Sequence, residues 1–317
     1  MKKKKPKILK EIAKYQIPEL NKDIHKSISY TQLSIYQQCP YRWKLQYKDK
    51  LQAYTPSIYT VFGKAFHETL QDYLEKMYNV SVKEADSIDL ETLLLDKLKE
   101  HYTDERKNNE GIHFSTGKEL AEFYDDGVAI LRALKKKRSA YFNKKGWHLV
   151  GIEIPLLLFP ENDYPTVAYK GFLDVVLYHE KTEEFLILDI KTSTRGWKEE
   201  VKRDVSKQNQ LILYKEFFSV QFGIPADKIN VKFLIVKRKI WENSEYPQSR
   251  IQEFIPTSGP IKTKKALGVI KGFLKDCFNN DGSIRNVDYP KRPSSNTCKF
   301  CPFKGNPELC QEGALME

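Results

Sequence analysis

The sequence has no long apolar run and few cysteines. Its 317 residues contain no stretch of about 18 uncharged apolar residues, which argues against a membrane-spanning helix. The first twenty residues lack the apolar segment and small-residue cleavage site of a secretory signal, so we expect a cytosolic protein. Five cysteines in that compartment argue against a disulfide framework, because thiols there stay reduced. The absence of a G-x-x-x-x-G-K-[ST] segment excludes a P-loop motor within this chain.

Composition and charge bound the protein class. Hydrophobic residues make up 40% of the chain and aromatic residues 12%, which is enough for a packed core and excludes disorder over the whole length. The formal net charge is +11, and the segment MKKKKPK carries five of these positive charges. Residues 1–28 are therefore predicted to form a basic tail, either solvated or binding phosphate groups. Nucleic acid is a plausible partner on this basis.

Hydrophobic periodicity divides the remaining chain into three parts. Residues 29–145 follow a helical period, with helices predicted at 29–39, 60–78, 88–106 and 117–143. Residues 146–257 are rich in β-branched and aromatic residues, with strands predicted at 147–159, 169–180, 184–193, 228–239 and 249–257 and a helix at 199–219. Residues 258–317 combine a helix with a cysteine-rich segment. This order predicts an α/β or α+β chain whose central mixed sheet is flanked by helices.

An acidic group lies within two of the predicted strands. Asp189 and Lys191 share one face of an apolar strand, because side chains alternate along a strand. Asp174 lies in the preceding strand, and a hairpin centred between Lys181 and Thr182 places it opposite Asp189. Two facing carboxylates repel unless a divalent cation such as Mg²⁺ or Mn²⁺ lies between them. A one-residue slip would separate them, and no Asn-Gly or Asp-Gly pair fixes the turn.

Other candidate residues are weaker when taken singly. His67 lies on a predicted helix, and Glu153 lies on a predicted strand, where an exposed glutamate is equally ordinary. Gln210 and Tyr214 are four residues apart on a helix, so they share one face. Each has an ordinary explanation as a packed, paired or surface residue; their combination and order favour a site.

The cysteines are unevenly placed. Cys39 lies near the start, whereas Cys298, Cys301 and Cys310 lie within the last twenty residues. Four thiolates can hold a zinc ion or an iron–sulfur cluster, and spacing alone does not choose between them. Cys277 lies on an apolar helix and is predicted to be a packing residue.

These motifs together resemble the RecB-type branch of the PD-(D/E)XK nuclease superfamily, which includes cysteine-bearing exonucleases of bacterial recombination and CRISPR adaptation. The resemblance covers residues 29–310 and depends on the order of several short motifs: SYTQLSIYQQCPYRW, the histidine of GKAFH, the strand glutamate, G-x-x-D (Gly171 to Asp174), D-x-K (Asp189 to Lys191), Q-x-x-x-Y (Gln210 to Tyr214) and the terminal cysteines. It implies a restriction-endonuclease-like α/β fold.

The resemblance also implies roles for individual residues. Metal ligands would be His67, Asp174, Asp189 and the backbone carbonyl of Ile190. Lys191 would orient or activate the attacking water and stabilise negative charge, and Glu153 would support the site. Gln210 and Tyr214 would position the DNA backbone.

By the same resemblance, Cys39, Cys298, Cys301 and Cys310 would bind a 4Fe-4S cluster, with zinc as the alternative. The gap before Cys310 is longer than the family's common spacing.

The expected function is a metal-dependent DNA exonuclease acting on single-stranded ends in recombination, repair or phage DNA processing. A structure-specific or sequence-specific endonuclease is an alternative, although no dedicated recognition domain is evident. An inert DNA-binding or scaffold protein with a nuclease fold is another. Any helicase motor would have to be a partner protein. Tyr41, Arg42 and Trp43 are candidates for stacking on bases, with core packing favoured for Trp43.

Overall fold

The computed structural model describes residues 6–21, 24–51, 56–241, 245–246 and 248–314. Its helices, in chain order, are α1 (Lys7–Lys14), α2 (Tyr30–Gln38), α3 (Pro40–Trp43), α4 (Ile58–Asn79), α5 (Val82–Asp86), α6 (Leu90–Asn108), α7 (Gly117–Lys136), α8 (Arg138–Tyr141), α9 (Glu199–Arg203), α10 (Val205–Phe222), α11 (Pro260–Cys277), α12 (Ser295–Cys298) and α13 (Gln311–Ala314). Its strands are β1 (Lys26–Ile28), β2 (Trp147–Leu158), β3 (Val167–His179), β4 (Glu184–Ser193), β5 (Ile229–Lys237) and β6 (Ile251–Phe254).

The described residues divide into two compact units. The first comprises the described parts of Met1–Gln16, Pro56–Ile154 and Phe172–Ser258, and the second those of Ile17–Thr55, Pro155–Gly171 and Gly259–Glu317. Each unit combines stretches that are distant in sequence, whereas hydrophobic periodicity divides the chain into consecutive segments. Periodicity reports which residues of one element are buried, and it does not report which distant element covers them.

Strands β3 to β6 give the first unit a mixed sheet. β4 runs parallel to β5, from Phe185 opposite Ile229 to Ser193 opposite Lys237. β3 is antiparallel to β4, β6 is antiparallel to β5, and β2 also pairs with β3. Helix α4 packs against α6, α7 and β4, while α10 packs against β4 and β5. The fold is therefore a central mixed sheet flanked by helices, as predicted.

The register of the β3–β4 hairpin agrees with the prediction from sequence. Val175 lies opposite Leu188, and the pairing continues to His179 opposite Glu184. The turn closes with the Glu183 N–H donating to the His179 carbonyl at 2.9 Å, and Glu183 itself has a positive φ of 58°. A non-glycine residue in the left-handed region thus takes the position that Asn or Gly usually fills in a tight hairpin.

Two predicted helices are interrupted. The helix predicted at 199–219 is divided into α9 and α10 at Asp204, whose carboxylate accepts a hydrogen bond from the Ser206 N–H at 2.8 Å and caps the second helix. Gly223 ends α10 in the left-handed region, as its position predicted. The helix predicted at 117–143 is likewise divided into α7 and α8.

The second unit buries an aromatic cluster beside Cys39. Ser29 caps α2, and Pro40, which was predicted to stop this helix, also begins α3, because proline is favourable in a first helical turn. Cys39 thus lies between two helices. Trp43 is fully buried against a set of aromatic rings (Tyr36, Tyr47, Phe273, Phe278 and Tyr289). Core packing was favoured for Trp43, and its burial leaves no face for a DNA base; Cys277 is also buried.

The predicted basic tail differs from the structure over part of its length. Lys7–Lys14 forms α1, which buries Leu9 and Ile12, whereas its lysines are exposed; this part of the tail is therefore a packed helix with a solvated basic face. The lysine run at residues 2–5 lies outside the described residues. None of the described helices is long and apolar enough to span a bilayer.

Candidate active site

Strand β4 brings Asp189 and Lys191 together on one face. Asp189 is 2% exposed, and the Lys191 Nζ lies 2.7 Å from its Oδ2. The Lys191 ammonium is the partner that the described residues offer to this buried Oδ2 atom. Burial raises the pKa of Asp189, and the charge of Lys191 opposes the rise. The strand period predicted this arrangement correctly.

Asp174 joins this pair from β3. Continuing the hairpin register by one residue places it opposite Asp189. Its Oδ2 accepts a hydrogen bond of 2.7 Å from the Ile190 N–H. Burial and then the charge of Asp189 raise the pKa of Asp174 well above its usual value. Two acids are therefore held close together, and the charge of Asp189 disfavours the ionisation of Asp174.

His67 reaches the same place from α4. Its Nδ1 lies 3.7 Å from the Asp174 Oδ2, which is too long for a hydrogen bond. Burial and the charge of Lys191 lower the pKa of His67 to about 4, while a hydrogen bond to the Ile190 backbone opposes them. This effect on the pKa is the one expected when a backbone acceptor at Ile190 bonds the ring. His67 is thus a neutral imidazole at pH 7, which is the form that binds metals.

Glu153 is linked to the site through a residue that the sequence analysis missed. Gln71 donates its amide N–H groups to the Glu153 Oε1 at 2.6 Å and to the Asp174 backbone carbonyl at 3.2 Å. The signal available in the sequence was that Gln71 follows His67 by four residues, and so shares its face of the helix. The charge of Glu153 contributes to the raised pKa of Asp174.

Gln210 and Tyr214 form a pair on α10. The Gln210 amide donates to the Tyr214 hydroxyl at 3.2 Å. Burial raises the pKa of Tyr214 to about 12, with smaller effects from Gln210 and from the charges of Asp189 and Lys191. The pKa of the Tyr214 hydroxyl thus responds to the charges of the acidic group. Because its hydroxyl accepts from Gln210, its own proton remains able to bond another acceptor.

These residues fit a divalent cation, although they do not form a closed ligand cage. In the described part of the chain, no three His, Cys, Asp or Glu side chains are arranged to hold a metal ion as they stand. However, burial and the charge of Asp189 disfavour the charge on Asp174, and the Lys191 ammonium is the partner of the buried Asp189 Oδ2 among the described residues. A dication would lower the cost of burying both carboxylates. The donors are carboxylate oxygens, a carbonyl and an imidazole, a set that suits Mg²⁺ or Mn²⁺.

The second unit brings the four predicted cysteines to one cavity. Cys39, Cys298, Cys301 and Cys310 all line a cavity of about 400 Å³, counting the part that is open to solvent. Basic side chains also line it: Arg42, Lys291, Arg292 and Lys304. Burial raises the pKa of Cys301, and the neighbouring Cys298 and Cys39 add to the rise. The cysteines therefore converge, although the described side chains are not at ligand geometry.

The chain matches one family model over most of its length. A family model described as the PD-(D/E)XK nuclease superfamily matches residues 27–310, well over half of the chain. Among solved structures, one described as a "Putative exonuclease" from Eubacterium rectale is similar at 13% identity, covering 82% of this chain and 85% of that chain with a TM-score of 0.43. A TM-score this low supports no inference about activity. No curated protein matches the sequence.

Proposed function

The chain belongs to the PD-(D/E)XK nuclease superfamily, and we propose that it is a metal-dependent deoxyribonuclease that hydrolyses phosphodiester bonds at single-stranded DNA ends. The observation that carries this proposal is the convergence of Asp174, Asp189 and Lys191 on one pair of strands. An inert scaffold would have no need of two buried acids whose charges oppose each other.

The proposed ligands are His67, Asp174, Asp189 and the carbonyl of Ile190. A divalent cation at this place would stabilise negative charge at phosphorus and lower the pKa of the attacking water. The protein's own contribution is to hold the carboxylates in a rigid strand pair and to keep His67 neutral.

Lys191 is proposed to act as a cation. Burial lowers the pKa of its ammonium group, but the charges of Asp189 and Asp174 outweigh burial and the pKa is raised. A lysine that stays protonated at neutral pH cannot accept a proton from water. Lys191 would therefore orient the water and offset charge that develops at the phosphate, and not act as a general base.

Gln210 and Tyr214 are proposed to position the DNA backbone. The Tyr214 hydroxyl, oriented by Gln210, can donate its proton to a phosphate oxygen. Such contacts recognise the backbone and not the base sequence, which favours an exonuclease over a sequence-specific endonuclease.

A digestion series tests the proposed function. We expect end-labelled single-stranded DNA to be degraded from its ends in Mg²⁺ or Mn²⁺, with no degradation in chelator and with closed circular DNA left intact. The control is the Asp189→Ala chain purified in the same way, which should be inactive if the nuclease is not a contaminant. Cleavage of circles would support the endonuclease alternative, and activity in chelator would contradict the metal-dependent mechanism.

We further propose that Cys39, Cys298, Cys301 and Cys310 hold a 4Fe-4S cluster. Their convergence on one cavity supports this assignment, and the basic side chains around the cavity would offset the negative charge of a thiolate-ligated cluster. Cys39 and the three late cysteines would then join the two ends of the chain, closing a very long loop. Zinc is the alternative that the same four thiolates allow.

Replacing Cys39 by Ser should remove the bound iron and lower the denaturant midpoint. Three thiolates retain a cluster poorly, and metal binding contributes directly to folding free energy. Iron content and visible absorbance of anaerobically purified protein measure the first effect, and chemical unfolding measures the second. Cys277→Ala is the control, because Cys277 is buried away from the cavity lining and should keep the iron. Colourless wild-type protein with stoichiometric zinc would contradict the cluster.

Three further points stay predictions from the sequence: the cytosolic location, a helicase or recombination partner, and a role in recombination, repair or phage DNA processing.

A further inference from the structure

Gln71 joins three elements of the candidate active site. It is 5% exposed on α4, in the same unit as the acidic residues. Its Nε2 lies 2.6 Å from the Glu153 Oε1 on β2 and 3.2 Å from the Asp174 carbonyl oxygen on β3. A single amide group therefore hydrogen-bonds both Glu153 and Asp174, whose acidic side chains belong to the site.

The orientation of this amide is fixed by its partners. A carboxylate and a backbone carbonyl are both acceptors, so only the NH₂ end of the Gln71 amide can face them. A charged glutamate at position 71 could not donate to either. A shorter asparagine would keep the donor but would not span the same distance from α4.

Glu153 has an unusual backbone conformation. It has a φ of +50° within β2, a region that side-chain-bearing residues seldom occupy. Such a residue in a strand turns its side chain away from the ordinary alternation. Glu153 is exposed, and without Gln71 its carboxylate would be free to rotate into solvent. The bond of 2.6 Å instead holds the carboxylate near Asp174, whose pKa it raises.

We propose that Gln71 is a positioning residue that holds the Glu153 carboxylate at the acidic site and thereby sets the affinity of this site for a divalent cation. This inference rests on the proposed function of the same site. Gln71 acts through Glu153, so it needs no contact with the cation or with the DNA. Partners of metal-site residues usually change metal affinity by about 10-fold to 100-fold when they are removed.

Binding of Mn²⁺ to the full chain, followed by electron paramagnetic resonance of the free ion, tests the proposal without any need for activity. Gln71→Met should bind Mn²⁺ about 10-fold to 100-fold more weakly than wild type. In cleavage assays the Mg²⁺ concentration for half-maximal rate should rise by a similar factor, while the rate at saturating Mg²⁺ should change less. Gln71→Asn keeps a polar side chain and should show the same loss of Mn²⁺ affinity. It replaces the methionine variant in this test if that variant folds poorly.

A double-mutant cycle separates positioning from a general structural role. If Gln71 acts through Glu153, Gln71→Met should cause no further loss of Mn²⁺ affinity in a Glu153→Ala background. Additive losses would overturn the proposal, as would unchanged affinity in Gln71→Met. Gln252→Met is the matched control, because the Gln252 amide also makes two hydrogen bonds: it accepts from the Trp197 N–H and donates to the Trp197 carbonyl. Its Mn²⁺ affinity should match that of wild type.

The two proposals fail in different ways. If wild-type protein binds no Mn²⁺ and cleaves no DNA, the nuclease proposal is wrong and Gln71 has no site to support. If wild-type protein binds Mn²⁺ and Asp174→Asn abolishes that binding, the metal site stands, and the Gln71 variants alone decide the positioning role.

Discussion

Asp174→Asn should abolish DNA cleavage and, in chelator, make the protein more stable than wild type. We expect cleavage to fall by at least about 10³-fold, because the variant loses both a proposed metal ligand and one of the charges that hold the cation. The asparagine side chain has nearly the same shape, and its carbonyl oxygen can still accept the Ile190 N–H bond that the Asp174 Oδ2 accepts. The strand pair should therefore remain folded.

The gain in stability follows from the direction of the pKa shift. Burial and the charge of Asp189 raise the folded-state pKa of Asp174, so the folded state binds this proton more tightly than the unfolded chain does. Stability from this group is complete below the unfolded pKa of about 3.9 and is lost as the pH rises through the folded pKa. At any pH well above the unfolded pKa, the aspartate therefore makes folding less favourable, and the neutral amide of an asparagine does not.

Denaturant unfolding in chelator from pH 3 to pH 8 measures this effect. The midpoints of the variant and of wild type should converge at the acidic end and separate as the pH rises. Asp125→Asn, an exposed position on α7, is the matched control and should change neither cleavage nor unfolding. A variant that cleaves DNA normally, or that is less stable at neutral pH, would contradict the assignment of Asp174.

Lys191→Met should also strongly reduce cleavage, but with the opposite effect on stability and with metal binding retained. We expect a loss of about 10²-fold to 10³-fold in the cleavage rate, the range for removing one group that stabilises charge in the transition state. Mn²⁺ should bind at least as tightly as to wild type, because a positive charge near the cation is removed. Asp174→Asn, in contrast, should lose both activity and Mn²⁺.

The stability effect again follows from the pKa of the group. The charges of Asp189 and Asp174 raise the pKa of Lys191 in spite of burial, so its protonated form favours the folded state at every pH below its unfolded pKa of about 10.4. At neutral pH the variant loses this contribution. It also leaves the buried carboxylate of Asp189 without the Lys191 ammonium group that pairs with it. The denaturant midpoint should therefore fall.

Lys232→Met is the control for the lysine variant. Lys232 lies on β5 and pairs with Glu253 at the surface of the same sheet, so its loss should have little effect on cleavage or on Mn²⁺ binding. If Lys191→Met retained full activity, the proposed role of the lysine would be wrong. If it lost activity together with Mn²⁺, Lys191 would be acting by maintaining the site and not by stabilising charge during cleavage.

The positions of most helices and strands could be predicted from the sequence, because they depend on short-range periodicity. The strand predicted at 184–193 matches β4 at both ends, since apolar residues and flanking turn residues mark it. The hairpin register followed from the spacing of the two strands about their turn. The break at Asp204 was missed, because a capping side chain and a mid-helix aspartate look alike until the backbone around them is known.

Only part of the candidate site could be predicted from the sequence. Asp189 and Lys191 are two residues apart on one strand, so alternation places them together whatever else the chain does. The link from Gln71 to Glu153 crosses from a helix to a strand, and no periodicity within either element specifies it. The positive φ of Glu153 is similarly set by the surrounding packing, since nothing about a glutamate favours that conformation.

Most local elements, the hairpin register and the shared face of Asp189 and Lys191 follow from the sequence, because they depend on neighbours a few residues away. The contacts between distant residues are known from the folded chain: His67 and Gln71 with the acidic strands, and Cys39 with the three late cysteines around one cavity. Such encounters depend on how helices and sheet bury their apolar faces against one another. Residues that pack together in this way can lie at any separation in the sequence, so their contacts form only when the whole chain has folded.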